Sequence, residues 1–215
     1  MIPAAILEPR IRLVDGTDVI DGPAFDLESI MAEHNVPYHP MRASPAMQDK
    51  IMASFDFSRS QNNRFNGVGD PGAYYAGTTL PAAIHEIRWH LENDEGVPFN
   101  ATRVYRVVTA RVDGTFLDLR GTRARALNPD TSIGYPAGQK VADDVRNIVD
   151  GVVYPSARHS EGSCIAVFNR EALHDFRLDR FISFEPVPGT ERRFGYRLHV
   201  QPHQVAAAAR QHAIA

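Results

Sequence analysis

The sequence predicts an α+β fold, a compact mixed β-sheet core with flanking helices, in a single domain. Three observations lead there. Segments rich in β-branched and aromatic residues outnumber segments with helical spacing. The two kinds do not alternate along the chain, which argues against a doubly wound sheet. The length of 215 residues leaves little room for two domains at roughly 100–200 residues each.

Taken in order, Ile11 to Val14 reads as an opening strand. After Pro23, the apolar Leu27, Ile30 and Met31 follow helical spacing and predict a short amphipathic helix ending near Asn35–Pro37. Pro37, Pro40 and Pro45 make Pro37 to Gln48 an irregular connector, and Ile51 to Phe57 then reads as a strand. The polar, glycine-rich stretch Ser58 to Gly72 is a loop that runs into a short aromatic strand, Ala73 to Ala76. Thr78 or Thr79 can cap a helix that tolerates Pro81 in its first turn and buries Ala82, Ala83, Ile84, Ile87 and Leu91. It should stop before Gly96–Pro98. Thr102 to Val112 is a long strand with Tyr105, Val107 and Thr109 on one face, and Thr115 to Leu119 is a second. Val141, Val145, Ile148 and Val149 mark a helix closed by Gly151. Val152 to Tyr154 and Ile165 to Phe168 are short buried strands flanking a polar loop, and Phe181–Phe184 and Phe194–Val200 add more strand. The Ala-rich tail from Val205 to Ala208 reads as a short helix or a frayed end.

The composition excludes several classes. Hydrophobic residues make up 43% and charged residues 23%, ordinary values for a globular chain. Cys164 is the only cysteine, so no intrachain disulfide forms, which suits a reducing compartment. No apolar run approaches the ~18–20 residues that span a bilayer. Met1 to Leu7 lacks a basic n-region and meets Glu8 and Arg10 at once, unlike a signal peptide. A cytoplasmic location is therefore expected, without membrane contact. The formal charge of −3, with lysine rare and no Lys/Arg cluster, gives no sign of direct nucleic-acid binding.

Several motifs fail on spacing. His85-Glu86-Ile87-Arg88-Trp89-His90 suggests a helical zinc site, but the second histidine falls at i+5 rather than i+4. That rotates it by about 100° beyond the ligand position, so no metal is expected. Gly67 to Gly72 lacks the Gly-Lys-Ser/Thr ending of a phosphate loop. Cys164 sits inside an apolar strand and reads as a buried structural cysteine.

Four polar residues remain where a bare core would not want them. Arg64 lies in the loop Asn62-Asn63-Arg64-Phe65-Asn66, Tyr75 on the short strand beside Tyr74, and Glu86 in mid-helix between the apolar Ile84 and Ile87. Each follows the last by eleven residues, so a loop, a strand and a helix can bring them round one cleft. Ser156 follows a buried strand in Tyr154-Pro155-Ser156-Ala157-Arg158, a usual place for a functional loop. Each alone has an ordinary reading: a surface arginine, a half-buried tyrosine, a glutamate paired with Arg88 or His90, a turn serine.

Together, Arg64-Phe-Asn, Tyr74-Tyr-Ala, Leu80-Pro-Ala-Ala-Ile-His-Glu86, Gly151-Val-Val-Tyr-Pro-Ser156-Ala-Arg and Ala166-Val-Phe168 resemble the RES domain over roughly Arg12 to Phe184. The family is named for its Arg, Glu and Ser. The resemblance implies the toxin half of a bacterial toxin–antitoxin pair, a partner of the Xre/ParS/MbcA antitoxin kind, and a fold similar to ADP-ribosyltransferase toxins. It implies NAD as substrate, with ADP-ribose passed to water, to phosphate or to a protein acceptor. Carried over by motif, Arg64 would grip a phosphate or ribose of NAD, and Tyr75 would stack on or bracket the nicotinamide, with Tyr74 competing for that role. Glu86 would be the catalytic carboxylate, and Ser156 would orient the nicotinamide ribose. A first-strand arginine also takes part in the family; Arg12 matches best, with Arg42 a weaker candidate. The family's usual Gly-Gly-Arg-Trp-Asn is here Asn62-Asn63-Arg64-Phe65-Asn66, which leaves the loop's shape in question more than its chemistry.

The residue types suit that reaction. Loss of nicotinamide leaves an oxocarbenium-like ribose, which a carboxylate stabilises. Guanidinium grips pyrophosphate through paired hydrogen bonds, and an aromatic face attracts the charged nicotinamide ring. A non-catalytic antitoxin-binding module is the alternative from another class, and the retention of all four residues counts against it.

Overall fold

The computed structural model of the chain describes residues 3–5, 9–15, 41–93, 102–190 and 193–199. The helix expected around Leu27 to Met31 and the tail Val205 to Ala208 lie outside them. Contacts divide the chain into two compact units. The first joins Met1–Arg12, Ala43–Glu86 and Thr109–Phe176; the second joins Leu13–Arg42, Ile87–Val108 and Arg177–Ala215. Strands and helices are mixed in an α+β fold, as the sequence predicts.

In chain order the strands are β1 (Pro3–Ala5), β2 (Pro9–Asp15), β3 (Met41–Arg42), β4 (Tyr74–Gly77), β5 (Arg103–Val112), β6 (Thr115–Asp118), β7 (Gly151–Pro155), β8 (Ser163–Val167), β9 (Leu173–Pro186) and β10 (Phe194–His199). The helices are α1 (Pro45–Met52), α2 (Ser54–Ser58), α3 (Leu80–Asn93) and α4 (Thr131–Val145).

In the first unit the strands lie in the order β1-β6-β7-β8-β4-β2. Only β6 and β7 run parallel; the other neighbours pair antiparallel. Alternation along each strand sorts its side chains to two faces. Leu117, Leu119, Val152, Tyr154, Cys164, Ala166 and Tyr75 gather on one face with Ala142 and Val145 of α4. Tyr74 belongs to the opposite face, where it is fully buried and its ring centroid lies 6.1 Å from that of Phe55. In the second unit β9 pairs antiparallel with β10, and β3 adds to β9 through Met41–Leu178 and Arg42–Arg177. Buried there, the Arg106 guanidinium stacks 4.3 Å from the Phe181 ring centroid.

Three expectations change. Ile51 to Phe57 is helical, not a strand: it holds the end of α1 and most of α2. Ile51 and Phe55 are both buried, and a spacing of four places residues on one face under either a helical or a strand period. Pro45 does not prolong an irregular connector but opens α1 behind Ser44, whose side chain accepts from the Met47 N–H. Gly151 does not cap a helix. The helix α4 ends at Val145, and Gly151 is the first residue of β7, where a side chain would strike the Ala166 carbonyl and the Phe116 ring.

The loop Ser58 to Gly72 is held from beneath by Arg146, just beyond α4. Its guanidinium donates to the carbonyls of Gly72 (3.0 Å) and Phe65 (2.9 Å) and stacks 4.2 Å from the Phe168 ring centroid. Arg146→Ala would leave two carbonyls without their charged donor and remove the stacking. We expect a loss of about 3 kcal/mol, measured by urea unfolding.

Candidate active site

Glu86 reaches its position because α3 starts directly on the sheet. A side chain at Gly77 would come within 2.6 Å of the Ala83 nitrogen, so the bare strand lets the first turn of the helix settle on it. Thr79 caps that turn, its hydroxyl accepting from the Ala82 N–H at 3.4 Å. In register, Gly77 lies opposite Cys164, and Cys164 opposite Tyr154. Two turns along the helix, Glu86 therefore meets the ends of β7 and β8.

Its carboxylate is half-buried and does not pair along the helix. Arg88 turns to Glu92 instead, at 4.0 Å. Glu86 Oε1 accepts from the Ser156 hydroxyl at 2.6 Å and from the Cys164 thiol at 3.7 Å. Ser156 is 9% exposed, and its Oγ also accepts from the backbone N–H groups of Arg158 (3.1 Å) and His159 (3.0 Å). One proton donated and two lone pairs occupied exhaust a hydroxyl. The turn after β7 is thus wound around this serine. It also sets the His159 ring edge-on to His85, with centroids 4.9 Å apart.

Arg64 is no surface arginine: it is 8% exposed. One terminal nitrogen donates to the carbonyls of Ala126 (2.5 Å) and Asn128 (3.0 Å), and the guanidinium lies 5.5 Å from the Tyr135 ring centroid. The helix α4 presses on it through two glycines. A side chain at Gly134 would come within 2.8 Å of that nitrogen, and one at Gly138 would overlap the Arg64 carbonyl oxygen.

Tyr75 sits on the same sheet face as Tyr154 and Cys164. Its hydroxyl donates to Asn66 Oδ1 (2.8 Å) and accepts from the Phe65 N–H (3.0 Å), which ties the Arg64 loop to the sheet. Tyr74 points to the other face and does not join the group. Arg12 lies on β2, which pairs with β4 through Ile11–Gly77, and so belongs to the strand beside Tyr75. Arg42 lies on β3 in the second unit.

Glu86, Ser156, Arg64 and Tyr75 thus fall within the first unit, joined by three residues the sequence reading did not assign to the site. Cys164 touches Glu86 directly. Tyr154 and Arg158 lie within reach of the charges of Glu86 and Arg64. Arg158 was legible in the Pro-Ser-Ala-Arg segment. The contact of Cys164 depends on strand register and left no local signal. Burial pushes the Tyr75 and Tyr154 phenols up, and it pushes the Cys164 thiol up with help from the Glu86 charge. Burial lowers Arg158, opposed by Glu86. The site is therefore a carboxylate among neutral hydroxyls and a thiol, with two guanidinium groups close by. Among the described residues, no group of three His, Cys, Asp or Glu side chains is placed to hold a metal ion.

The raised groups make alkaline stability testable. A phenol or thiol held protonated in the fold but free to ionise when unfolded contributes stability that is complete below its unfolded pKa. That stability is lost as pH climbs toward the folded value. Unfolding free energy should stay level in this respect to about pH 9. It should then fall by up to ~1.4 kcal/mol per pH unit for each of Tyr75, Tyr154 and Cys164 above their unfolded values near 9–10. Urea titrations from pH 8 to 11 measure the slope, and Tyr75→Phe should reduce it.

A sequence model of the RES domain matches residues 39–187. No curated protein matches the chain. Among solved structures, a similar chain belongs to the crystal structure of the M. tuberculosis MbcT-MbcA toxin-antitoxin complex, with a TM-score of 0.52 and 18% identity. The match covers 85% of this chain and 87% of that one, a likeness of fold. No helix among the described residues is long and apolar enough to cross a membrane.

Proposed function

Because the chain belongs to the RES-domain family, matched over residues 39–187, we propose that it is the toxin of a bacterial toxin–antitoxin pair and cleaves the bond between nicotinamide and ribose in NAD. The observation that carries this reading is the 2.6 Å contact between Ser156 and the Glu86 carboxylate, with the buried Arg64 in the same unit. A carboxylate flanked by guanidinium groups suits a substrate that carries pyrophosphate at one end and develops positive charge at the other.

When the glycosidic bond breaks, its electron pair leaves with the nicotinamide nitrogen, and the ribose carbon becomes oxocarbenium-like. Glu86 stabilises that charge from its half-buried position beside Ser156 and Cys164, where a fixed negative group counts for more than in open water. Arg64 and Arg12, on β2, hold the dinucleotide's anionic part. Tyr75 keeps the Arg64 loop in place and brackets the nicotinamide side. Water or phosphate then supplies the oxygen that completes the ribosyl product. We read the chain as one RES-like domain acting in the cytoplasm, with an antitoxin of the MbcA kind as its partner.

The test incubates purified protein with NAD, with and without phosphate, and follows free nicotinamide and the fate of ADP-ribose. Nicotinamide release supports the reading, and the ribosyl product names the acceptor, protein acceptors included when extract is added. No release under any of these conditions would overturn it in favour of an antitoxin-binding module without catalysis.

A further inference from the structure

The two donors to Glu86 share one oxygen. Ser156 Oγ at 2.6 Å and Cys164 Sγ at 3.7 Å both reach Oε1, and neither reaches Oε2. From this geometry we propose that Cys164 is a positioning residue, whose thiol joins the Ser156 hydroxyl in fixing Oε1 so that Oε2 is the oxygen presented to the ribose. This deepens the NAD-cleaving reading and rests on it.

The cysteine is suited to the task by its surroundings. It is 3% exposed, lies between Tyr154 and Gly77 in strand register, and packs in the core beneath the site. Burial and the neighbouring carboxylate keep it in the S–H form, so at neutral pH it is a donor and not a nucleophile. A carboxylate on a flexible glutamate side chain can rotate about its last bond. Two donors converging on one oxygen, one from the turn after β7 and one from β8, remove that freedom, since rotation would break both contacts together. Ser156 alone leaves the carboxylate plane free to swing about the shared hydrogen bond. The thiol supplies the second point.

Cys164→Ala and Cys164→Ser separate positioning from packing. The serine keeps a donor and loses apolar surface; the alanine loses the donor and suits the core. If Cys164 positions Glu86, the alanine variant should release nicotinamide with kcat reduced about tenfold and KM for NAD unchanged. The serine variant should keep kcat within about threefold of the parent. If the residue only fills the core, the order reverses and activity follows melting temperature, which would overturn the proposal.

A second measurement needs no turnover. As the only cysteine in the chain, Cys164 gives a single S–H stretching band in the infrared. A thiol donating to a carboxylate absorbs at lower frequency than one facing a neutral amide, so Glu86→Gln should shift the band upward. A band that does not move would overturn the contact even in an enzyme that cleaves NAD. A shifted band in a protein that releases no nicotinamide would uphold the contact while the NAD reading fails.

Discussion

Glu86→Gln is expected to reduce nicotinamide release about 10³-fold while leaving the melting temperature within a few degrees of the parent. Glutamine matches glutamate in size and keeps an oxygen that can accept from Ser156 and Cys164, so the arrangement at Oε1 survives. What disappears is the charge opposite the developing oxocarbenium ion. Removing one preorganised electrostatic contact at a shielded site typically costs 10²–10³ in rate, and the loss of a full charge belongs at the upper end, about 4 kcal/mol of barrier. The loss should fall on kcat, because the ground-state ribose carries no such charge. Steady-state nicotinamide assays measure it. A variant that keeps a tenth of parental kcat would remove Glu86 from the catalytic role.

Gly138→Ala should produce a large loss of stability from the smallest change. The added methyl would overlap the Arg64 carbonyl oxygen and come within 3.1 Å of its Cγ. Alanine favours a helix over glycine by about 1 kcal/mol, so propensity alone predicts stabilisation. The overlap wins because both sides are fixed. The helix α4 is packed on the sheet through Ala142 and Val145, and the Arg64 loop is tied down by Tyr75 and Arg146. Overpacking of this kind costs roughly 1–3 kcal/mol and occasionally more, and we expect a net loss of about 3 kcal/mol by urea unfolding. Arg64 should shift with the loop, so KM for NAD should rise in whatever fraction stays folded. An unchanged melting temperature would mean that α4 gives way easily.

The elements that read correctly from the sequence are those whose composition or spacing points one way. Strands β5 to β8 and helix α3 lie where β-branched runs and helical spacing place them. Helix α4 begins ten residues before its first apolar marker, Val141, because its opening turns face Arg64 through Gly134, Gly138 and the Tyr135 ring rather than through an aliphatic stripe. The Asp130 side chain that accepts from the Ser132 N–H is the start signal that a search for apolar spacing passes over. At the site, Glu86 and Ser156 were legible as a pair because each stands in a recognisable local segment. That Ser156 spends its hydroxyl on Glu86 and on its own turn was not, since only the folded loop brings the Arg158 and His159 N–H groups round it. Tyr75 shows the same limit: its place on β4 follows from sequence, while its bonds to Phe65 and Asn66 follow from folding.

The tether between the Arg64 loop and its surroundings has a thermodynamic consequence. Tyr75 holds the loop at Phe65 and Asn66, Arg146 holds it at Phe65 and Gly72, and Gln139 donates to Asn62 and Asn63. The conformational entropy of this segment is therefore surrendered when the chain folds rather than when a ligand arrives. An anion meeting Arg64 finds a guanidinium already oriented and a backbone already still, so its binding free energy is not diminished by ordering the loop. Loosening any one tether would move that entropy from the folding equilibrium to the binding equilibrium, and weaker affinity would follow without the loss of a single contact to the ligand.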